Sequence, residues 1–481
     1  MPFVFFLLLF MFPLFSLEAA TYEFSQELRL TSKLNRFRLI GRNQDGYVVR
    51  MYGRTDVLDL YDSGMRRMVS QPVELNGQYG LLQQVLLQPT GCSLFYLSAR
   101  RRSTLLMAQG VNNRFQPSGQ PVVIDSIPDQ AEQVENNIRF RLSQDQSCML
   151  MYYPVFDDKG VESLWLCCVR DNRTVLWRRR LVVNKPEESL EQMRVLISNE
   201  GAASFVFYDQ SNPRSAYADI HHVASDGTYN GFVYTLPRPL FGELFTEADQ
   251  QGNRILLSAL FDETEDGKQE NASNGYFYVR LNPQTGETEK ENVAEFGPTF
   301  MQELTGKDLQ RVPRKLFTFS VRRIIPRMDG GALILAESQI RDSRETLMPG
   351  FQPGMNSFRT VYTYQYNDII AFSVDSAGQT EWSRVLRKKQ ISEDDEGYYS
   401  SFFTMNRGYD LQLLFLDEPM QRPTLSTFSL GADGKTERKT LMDQSDWDVF
   451  LVTRMARQTG QTEMLVPSVK GDGFRLMKLN F

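Results

Sequence analysis

Histidine is scarce in this chain of 481 residues, which has only two. A serine triad or a histidine-rich zinc site would have to use His221 or His222, which are neighbours on a predicted strand. Because adjacent strand residues point to opposite faces of a sheet, these two imidazoles are badly placed to share a metal ion. We interpret both as structural or surface groups, and the sequence predicts neither a metal site nor a cofactor.

Cysteine is also scarce, with four residues. A chain of this length can bury a large core, so it needs no disulfide scaffold. Cys167 and Cys168 are adjacent within a predicted strand, whereas Cys92 and Cys148 stand apart. We interpret the adjacent pair as two small buried residues, with a strained vicinal disulfide as the alternative.

The chain also lacks a large excess of charge of either sign. The formal net charge is -6, and acidic and basic residues are mixed along the chain. Nucleic-acid-binding proteins usually carry a concentrated basic surface, so we expect no nucleic-acid partner.

The chain has one long apolar run, from Phe3 to Leu17, followed by Glu18, Ala19 and Ala20. The run has the length of a signal-peptide core and is too short for an untilted membrane helix. The sequence therefore predicts a signal peptide over residues 1–20 and export to the periplasm or the cell surface. No Lys or Arg precedes the run, which leaves an uncleaved anchor as the alternative. No later stretch reaches the length of a membrane span, so we expect no transmembrane segment after the signal peptide.

A repeated pattern fills the rest of the chain. A short turn rich in Gly, Asp or Asn precedes an apolar strand, and most neighbouring turns lie roughly 45 to 55 residues apart, close to known propeller periods. The eight turns are Asp45–Gly46, Thr90–Gly91, Asp145–Gln146, Glu200–Gly201, Gln251–Gly252, Asp329–Gly330, Arg407–Gly408 and Thr459–Gly460.

A second turn follows in many of these units, as at Asp62–Gly64, Asp226–Gly227, Asp375–Gly378 and Asp433–Gly434. Such residues tolerate the positive φ of tight hairpins, so each unit is typical of a four-stranded meander. The predicted fold is all-β, a single β-propeller over residues 21–481 with about eight four-stranded blades. Seven blades is the alternative if the Cys92 or the Cys148 unit merges with a neighbour.

The last unit is one strand short. Residues Tyr22–Leu30 alternate like a strand and have no unit of their own, so we predict that they pair with Phe474–Asn480 and close the ring.

Two units carry rim insertions. The first, near residues 297–314, has helical spacing and predicts a short helix. The second, near residues 341–360, contains Pro349, Gly350, Pro353 and Gly354, and we expect an irregular loop there.

The segment Tyr362–Phe403 resembles a large set of uncharacterised exported proteins of Bacteroidota, a resemblance that implies export and no particular activity. A weaker resemblance links Asp375, Gly378 and Trp382 to quinoprotein-like propeller repeats, in which the tryptophan docks between blades. Trp177 holds the matching place in its own unit. No quinone or calcium ligands of that family are found here.

Motifs for catalysis are lacking as well. Asp262, Thr264, Asp266 and Gly267 are similar to the start of a calcium loop, but Ser273 stands where the bidentate glutamate is needed. Carboxylates are plentiful, yet sequence does not reveal a pair across a cleft, so the catalytic residues are unknown. We therefore predict a non-catalytic binding or scaffolding propeller, a monomer that takes a protein or glycan partner. The alternative is a carbohydrate-active enzyme using Asp and Glu in the central funnel.

Overall fold

A computed structural model describes thirteen parts of the chain: residues 20–30, 37–75, 81–100, 103–128, 137–170, 173–209, 216–262, 272–307, 316, 318–349, 356–419, 423–444 and 448–481. The predicted signal peptide lies outside them except for Ala20. Within these parts of the chain, no helix combines the length and the apolar character that crossing a bilayer requires.

Two short N-terminal strands precede blade 1. In each of the first three blades, the four strands pair in chain order as an antiparallel meander. The N-terminal strands are β1 (Thr21–Phe24) and β2 (Leu28–Arg29). Blade 1 contains β3 (Phe37–Arg42), β4 (Tyr47–Met51), β5 (Val57–Tyr61) and β6 (Arg67–Pro72). Blade 2 contains β7 (Leu81–Gln88), β8 (Gly91–Arg100), β9 (Ser103–Val111) and β10 (Pro117–Pro128). Blade 3 contains β11 (Arg139–Leu142), β12 (Cys148–Asp157), β13 (Gly160–Arg170) and β14 (Val175–Lys185).

Blades 4 to 6 carry the helices and the longest strands. Helix α1 (Ser189–Gln192) precedes blade 4, which contains β15 (Arg194–Ile197), β16 (Ala203–Asp209), β17 (Tyr217–Val223) and β18 (Tyr229–Thr235). Blade 5 contains β19 (Leu240–Ala248), β20 (Ile255–Phe261), β21 (Gly275–Leu281) and β22 (Thr288–Glu295), followed by helix α2 (Pro298–Thr305). Blade 6 contains β23 (Phe319–Pro326), β24 (Ala332–Pro349), β25 (Asn356–Val374) and β26 (Thr380–Leu386), and the short β27 (Ile391–Glu393) also pairs with β25.

The last two blades complete the ring. Blade 7 contains β28 (Phe402–Asn406), β29 (Asp410–Asp417), β30 (Thr424–Gly431) and β31 (Thr436–Asp443). A 3₁₀ helix (Thr453–Met455) precedes blade 8, which contains β32 (Arg457–Gln458), β33 (Glu463–Lys470) and β34 (Gly473–Asn480).

The eight predicted turns are the eight connections between the first and second strands of the blades, so the predicted repeat is confirmed. Two of them show why glycine is needed. At Gly46 and Gly91, φ is +150° and +112°, and a Cβ atom would lie 2.0 and 2.1 Å from the carbonyl oxygens of Tyr61 and Val111. Any larger residue would push the turn away from the third strand of its own blade.

Eight apolar clusters hold the blades together, and each takes residues from two consecutive blades. In an open row of eight blades, seven such interfaces would form. The eighth joins blade 8 to blade 1, where Phe474 packs against Phe37 with ring centroids 4.6 Å apart. The described blades therefore form a closed ring of eight, and the alternative of seven is wrong, because Cys92 and Cys148 lie in separate blades.

The N-terminal strands supply the missing outer strand of blade 8, as predicted. Tyr22 pairs with Leu479 and Phe24 with Met477, and Leu28 pairs with Phe474. Ser25 lies between these two short pairings, and its backbone N–H donates to the carbonyl of Leu476 at 2.8 Å. Both ends of the chain are thus tied into one sheet.

One insertion matches its prediction and the other does not. Helix α2 lies in the first insertion and buries Phe300, Met301 and Leu304 between blades 5 and 6. The expectation of an irregular loop over residues 341–360 is wrong. Strands β24 and β25 continue through it in register from Gln339–Tyr366 to Pro349–Asn356, so the chain forms an extended two-stranded ribbon. Of the four residues on which the expectation rested, Pro349 ends β24, and Gly350, Pro353 and Gly354 lie outside the described residues.

The two tryptophans of the resemblance dock between blades as expected. Trp177 Nε1 donates to the carbonyl of Gly201 at 2.9 Å, and Trp382 Nε1 donates to that of Ala432 at 3.0 Å, in each case in the next blade. Gly434 closes over the Trp382 ring with a φ of +75°.

Replacing Gly434 by alanine should therefore loosen the contact between blades 6 and 7. A Cβ atom at this position would lie 2.8 Å from the Trp382 ring, whereas a Cβ at Gly119, with a φ of +76°, would meet nothing within 4 Å. Both changes impose the same backbone strain, so Gly119→Ala is the matched control. We expect Gly434→Ala to lower the free energy of unfolding by about 1 to 3 kcal/mol more than the control, measured by urea unfolding. Equal losses in the two variants would contradict the docking contact.

Candidate functional site

The first strand of each blade lies nearest the axis of the ring, and first strands of neighbouring blades contact each other there, as β11 contacts β15, β15 contacts β19 and β19 contacts β23. Together they surround a cavity of about 540 Å³. Its wall includes residues from seven blades and the turns that follow the first strands of blades 3, 4 and 5. We call this space the channel cavity.

Four arginines reach the channel cavity from four different blades. Arg38, Arg141, Arg323 and Arg457 form this central arginine cluster. Two carboxylates, Glu247 and Asp249, also line the cavity. The wall thus carries more positive than negative charge, although the chain as a whole is acidic.

Strand register explains why most of these charged side chains lie there. Arg141, Glu247 and Arg323 pair directly with the buried Leu150, Leu256 and Leu335 of the second strands. Arg457 pairs in the same way with Leu465. Directly paired residues lie on the same face of a sheet. Each leucine packs against the next blade, whereas its charged partner on the first strand lies closer to the axis and faces the channel cavity.

Two arginines of the cluster are held in place and two are not. Arg38 Nη1 donates to Gln84 Oε1 at 2.8 Å, and Arg457 Nη1 donates to the carbonyl of Leu39 at 3.1 Å. The guanidinium groups of Arg141 and Arg323 have no hydrogen-bond partner among the residues that the structure describes. Guanidinium groups with free donors in a concave site can bind carboxylate, sulfate or phosphate groups in bidentate fashion.

Burial, with a further contribution from like charges, lowers the pKa values of two arginines of the cluster. Burial, and then the neighbouring Arg38, lower the pKa of Arg457 to about 10. Burial also lowers the pKa of Arg323, where the charge of Glu247 opposes the effect and those of Arg322 and Arg141 add to it. A bound anion would relieve this repulsion, so the charged forms of both arginines favour an anionic ligand.

The two carboxylates have different roles. Burial raises the pKa of Glu247, and the backbone N–H of Ala248 together with the charges of Arg141 and Arg323 opposes the shift. Asp249 instead accepts hydrogen bonds from the backbone N–H groups of Asn253 and Arg254, at 2.8 and 3.2 Å, and lies 3.6 Å from Arg280. Both carboxylates come from the same stretch of chain, so they do not form a pair on opposite walls.

The histidines lie in blade 4, away from the channel cavity. His221 Nδ1 bonds the Tyr229 hydroxyl at 2.9 Å, and His222 Nδ1 bonds the Ser204 hydroxyl at the same distance. Their side chains are on opposite faces of β17, which supports the structural interpretation. Among the described residues, no group of three or more His, Cys, Asp or Glu side chains could hold a metal ion. Most of the calcium-like segment, residues 263–270, lies outside the described residues.

All four cysteines are buried and free, so the interpretation of small core residues holds. Cys167 packs towards blade 2 and Cys168 towards blade 4, on opposite faces of β13, which argues against the vicinal disulfide. Burial raises the pKa values of Cys92 and Cys167 to about 12, so these thiols are poor nucleophiles.

One buried charged cluster serves the scaffold. Lys388 Nζ lies 2.8 Å from Glu337 Oε1, and both side chains are fully buried between blades 6 and 7. Lys388 also donates to Gln390 Oε1 at 2.6 Å, and Ser401 donates to Glu337 Oε2 at 2.8 Å. These bonds fix the long connection between the two blades, because a buried charge without its partner is strongly destabilising.

Sequence reasoning missed the arginine cluster. Its signal is an arginine next to apolar residues in a first strand, as in Phe140-Arg141-Leu142. Spacing does not align these residues, since Arg457 precedes Thr459 by two positions and Arg38 precedes Asp45 by seven. Register shifts in β3 and β23 contribute to this variation.

Comparisons with known proteins add the following. No family model and no curated protein matches the chain. A protein of unknown function from Bacteroides caccae is similar in structure, with 11% identity, 73% of this chain and 93% of that chain covered, and a TM-score of 0.27. Pyrococcus horikoshii acylaminoacyl peptidase has 10% identity, 93% and 57% coverage and a TM-score of 0.36, so this chain spans little more than half of it. The WD40 domain of Toxoplasma gondii coronin has 8% identity, 96% and 86% coverage and a TM-score of 0.33. Such values carry no argument about function, and the propeller assignment rests on the strand pairing.

The buried His222 should make the fold sensitive to acid. Burial lowers its pKa from 6.5 to about 4, so below pH 6.5 the unfolded chain takes up a proton that the folded chain refuses until about pH 4. Stability contributed above pH 6.5 is therefore lost as the pH falls to 4, by about 3 kcal/mol at 1.36 kcal/mol per pH unit. We expect His222→Gln, whose amide can still bond Ser204, to lose correspondingly less stability over this range in urea unfolding. The same pH dependence in both proteins would contradict a buried neutral imidazole.

Proposed function

We propose that this protein is a non-catalytic binding propeller, acting outside the cytoplasm, whose channel cavity holds an acidic group of a protein or glycan partner. The observation that carries the proposal is the convergence of Arg38, Arg141, Arg323 and Arg457 on one cavity.

Charge supports an anionic ligand. Asp249 is occupied by its turn and by Arg280, so Glu247 is the main negative group facing the four arginines. In a concave site with low-dielectric walls, this imbalance attracts anions even though the net charge of the protein is -6.

The dimensions support a small group or the tip of a chain. A volume of about 540 Å³ is in the range of small-molecule sites. It accommodates an acidic side chain, a peptide C-terminus or a single uronic acid or sulfated sugar, all of which present pairs of anionic oxygens that a guanidinium group can bind in bidentate fashion.

Export is part of the proposal and rests on the apolar run Phe3–Leu17. Cleavage after Ala20 would leave Thr21, the first residue of β1, as the new N-terminus and keep the closing strand complete. Mass spectrometry of the native protein should find a chain that begins at Thr21 in the periplasmic or extracellular fraction. Recovery of the intact chain from the cytoplasm would contradict this part.

The carbohydrate-active alternative gains no support from the channel cavity. A glycosidase needs two carboxylates on opposite sides of the scissile bond, about 5 to 9.5 Å apart. Glu247 and Asp249 are two positions apart in one blade, and Asp249 is engaged by backbone N–H groups.

Binding of acidic oligomers tests the proposal. We expect hexaglutamate or trigalacturonate to bind. Tighter binding of hexaglutamate would indicate a protein partner, and tighter binding of trigalacturonate would indicate a glycan. Arg141→Gln and Arg323→Gln should each weaken binding about tenfold or more, because each removes charge-assisted hydrogen bonds. Glu247→Gln should strengthen binding, because it removes the opposing charge. Isothermal titration calorimetry at low salt measures all of these affinities.

The matched control is Arg66→Gln, which removes an exposed arginine from a turn of blade 1 that is paired with Asp62. Its affinity should equal that of the unchanged protein. Failure of both probes to bind, or equal affinity in the channel variants, would contradict the proposal. Hydrolysis of a polysaccharide that is abolished by Glu247→Gln would instead establish the enzyme alternative.

A further inference from the structure

Blade 6 carries a two-stranded ribbon that continues beyond its four-stranded sheet, with the short β27 paired to the β25 side. Beyond Ser338, strands β24 and β25 continue as a pair from Gln339–Tyr366 to Pro349–Asn356. We call residues 339–349 and 356–366 the blade 6 ribbon. All seven residues from Arg341 to Leu347 are exposed.

One edge of this ribbon is open. Strand β23 pairs with β24 only as far as Ser338, and none of the described strands pairs with that edge further along. The backbone N–H of Gln339 donates to Thr318 on the β23 side at 2.8 Å. Since backbone groups alternate along a strand, residues 339, 341, 343, 345 and 347 direct their N–H and C=O groups to the open edge.

Apolar side chains accompany this edge. Leu347 is directly opposite Phe358, and they are 51% and 71% exposed, while Tyr362 is 39% exposed. The Arg341 guanidinium lies over the rings of Tyr362 and Tyr364, 4.7 and 5.6 Å from their centroids. An open edge with exposed apolar neighbours pairs readily with another strand, unless its charges oppose the partner.

The charges on this edge match a second copy of the same edge. The segment Arg341-Asp342-Ser343-Arg344-Glu345 is self-complementary when two copies run antiparallel about Ser343. Arg341 then faces Glu345 of the other copy, and Asp342 faces Arg344. We propose that two copies of this protein form a symmetric dimer by pairing the open edges of their blade 6 ribbons about Ser343.

Neighbouring registers are disfavoured. Shifting the two-fold axis to residue 341, 342, 344 or 345 places Arg341, Asp342, Arg344 or Glu345 opposite its own copy, so each shift brings two like charges together. Like charges directly opposite across a ladder are destabilising. The segment therefore selects one register by attraction and rejects four by repulsion.

Backbone geometry agrees with this register. Ser343 directs its N–H and C=O groups outwards, so Ser343 and its copy would exchange two hydrogen bonds. Asp342 and Arg344 would then occupy a non-hydrogen-bonded pair, in which facing side chains are closest. Arg344 Nη2 lies 2.8 Å from Glu393 Oε1 of its own chain. In the dimer, Arg344 would therefore lie between Glu393 of its own chain and Asp342 of the other copy.

The pairing joins the two rings through an isologous interface and leaves the channel cavities untouched. It replaces the monomer expected from the sequence and does not depend on the proposed ligand. The interface is a short pair of strands, which indicates a dissociation constant on the order of micromolar.

Charge exchange tests the register. Sedimentation velocity from about 1 to about 100 µM should show the mature protein passing from monomer to dimer. Asp342→Arg and Arg344→Asp should each weaken the dimer tenfold or more, because each puts like charges across the axis. An equal mixture of these two variants should form a dimer, as should the double variant, because both restore two opposite-charge pairs.

Ser343→Pro is a second test that leaves the ribbon intact. Its lost N–H points to the open edge, so the ladder with β25 keeps its hydrogen bonds while the dimer should dissociate. The control is Asp433→Arg, which changes an exposed turn of blade 7 and should dimerise like the unchanged protein. Circular dichroism checks that every variant is folded.

Three results would overturn the proposal. They are a protein that stays monomeric across the whole range, single charge variants that dimerise as tightly as the unchanged protein, and an equal mixture of the two that remains monomeric. If the ribbon binds a different protein while this chain stays monomeric, the first of these results has been obtained and the proposal is wrong.

Discussion

Blade 8 is built from both ends of the chain, with β32 to β34 inside and the N-terminal strands outside. Every blade buries its two faces against its neighbours, so the sheets keep their cores covered only while the ring is closed. Pairing of Thr21–Phe24 with Met477–Asn480 makes opening between blades 1 and 8 equivalent to pulling a strand from a sheet. The contact is local in space but joins residues more than 450 positions apart.

Closure also determines the channel cavity. The inner strands converge because the ring is complete, and this brings Arg38 of blade 1 close enough to Arg457 of blade 8 for its charge to contribute, after burial, to the lowered pKa of Arg457. Placing several arginines together is unfavourable, and the rigid ring tolerates it because the blade interfaces contribute far more apolar burial. The result is a preorganised set of donors that needs little rearrangement to hold an anion.

The frame of the fold was predictable, because it depends on local chemistry that repeats. Turn residues such as Gly46 and Gly91 mark the start of each second strand, and the alternation of Tyr22–Leu30 marks a strand without a blade. The ribbon was not predictable in the same way. Pro349 and Gly354 favour an irregular loop over residues 341–360, whereas the pairing of Arg341 with Tyr364 depends on register that no local signal specifies.

The candidate site was harder still. An arginine between apolar neighbours, such as Arg141, is also common at sheet edges, and only the assembled ring places it beside charges from other blades. Glu247 and Arg323 are separated by 76 positions and influence each other's pKa. Such convergence is a property of the closed architecture rather than of any segment.

Amide hydrogen exchange of the closing strand tests the central claim, that the two ends of the chain form one sheet. In the protein that begins at Thr21, the amides of Glu23 and Ser25, which face β34, should exchange as slowly as the hydrogen-bonded amides of β33 and β34. They should lose protection together with these strands when urea is added. Fast exchange of the Glu23 and Ser25 amides while β34 stays protected would contradict closure by the N-terminal strand, and with it the rigid ring on which the channel cavity depends.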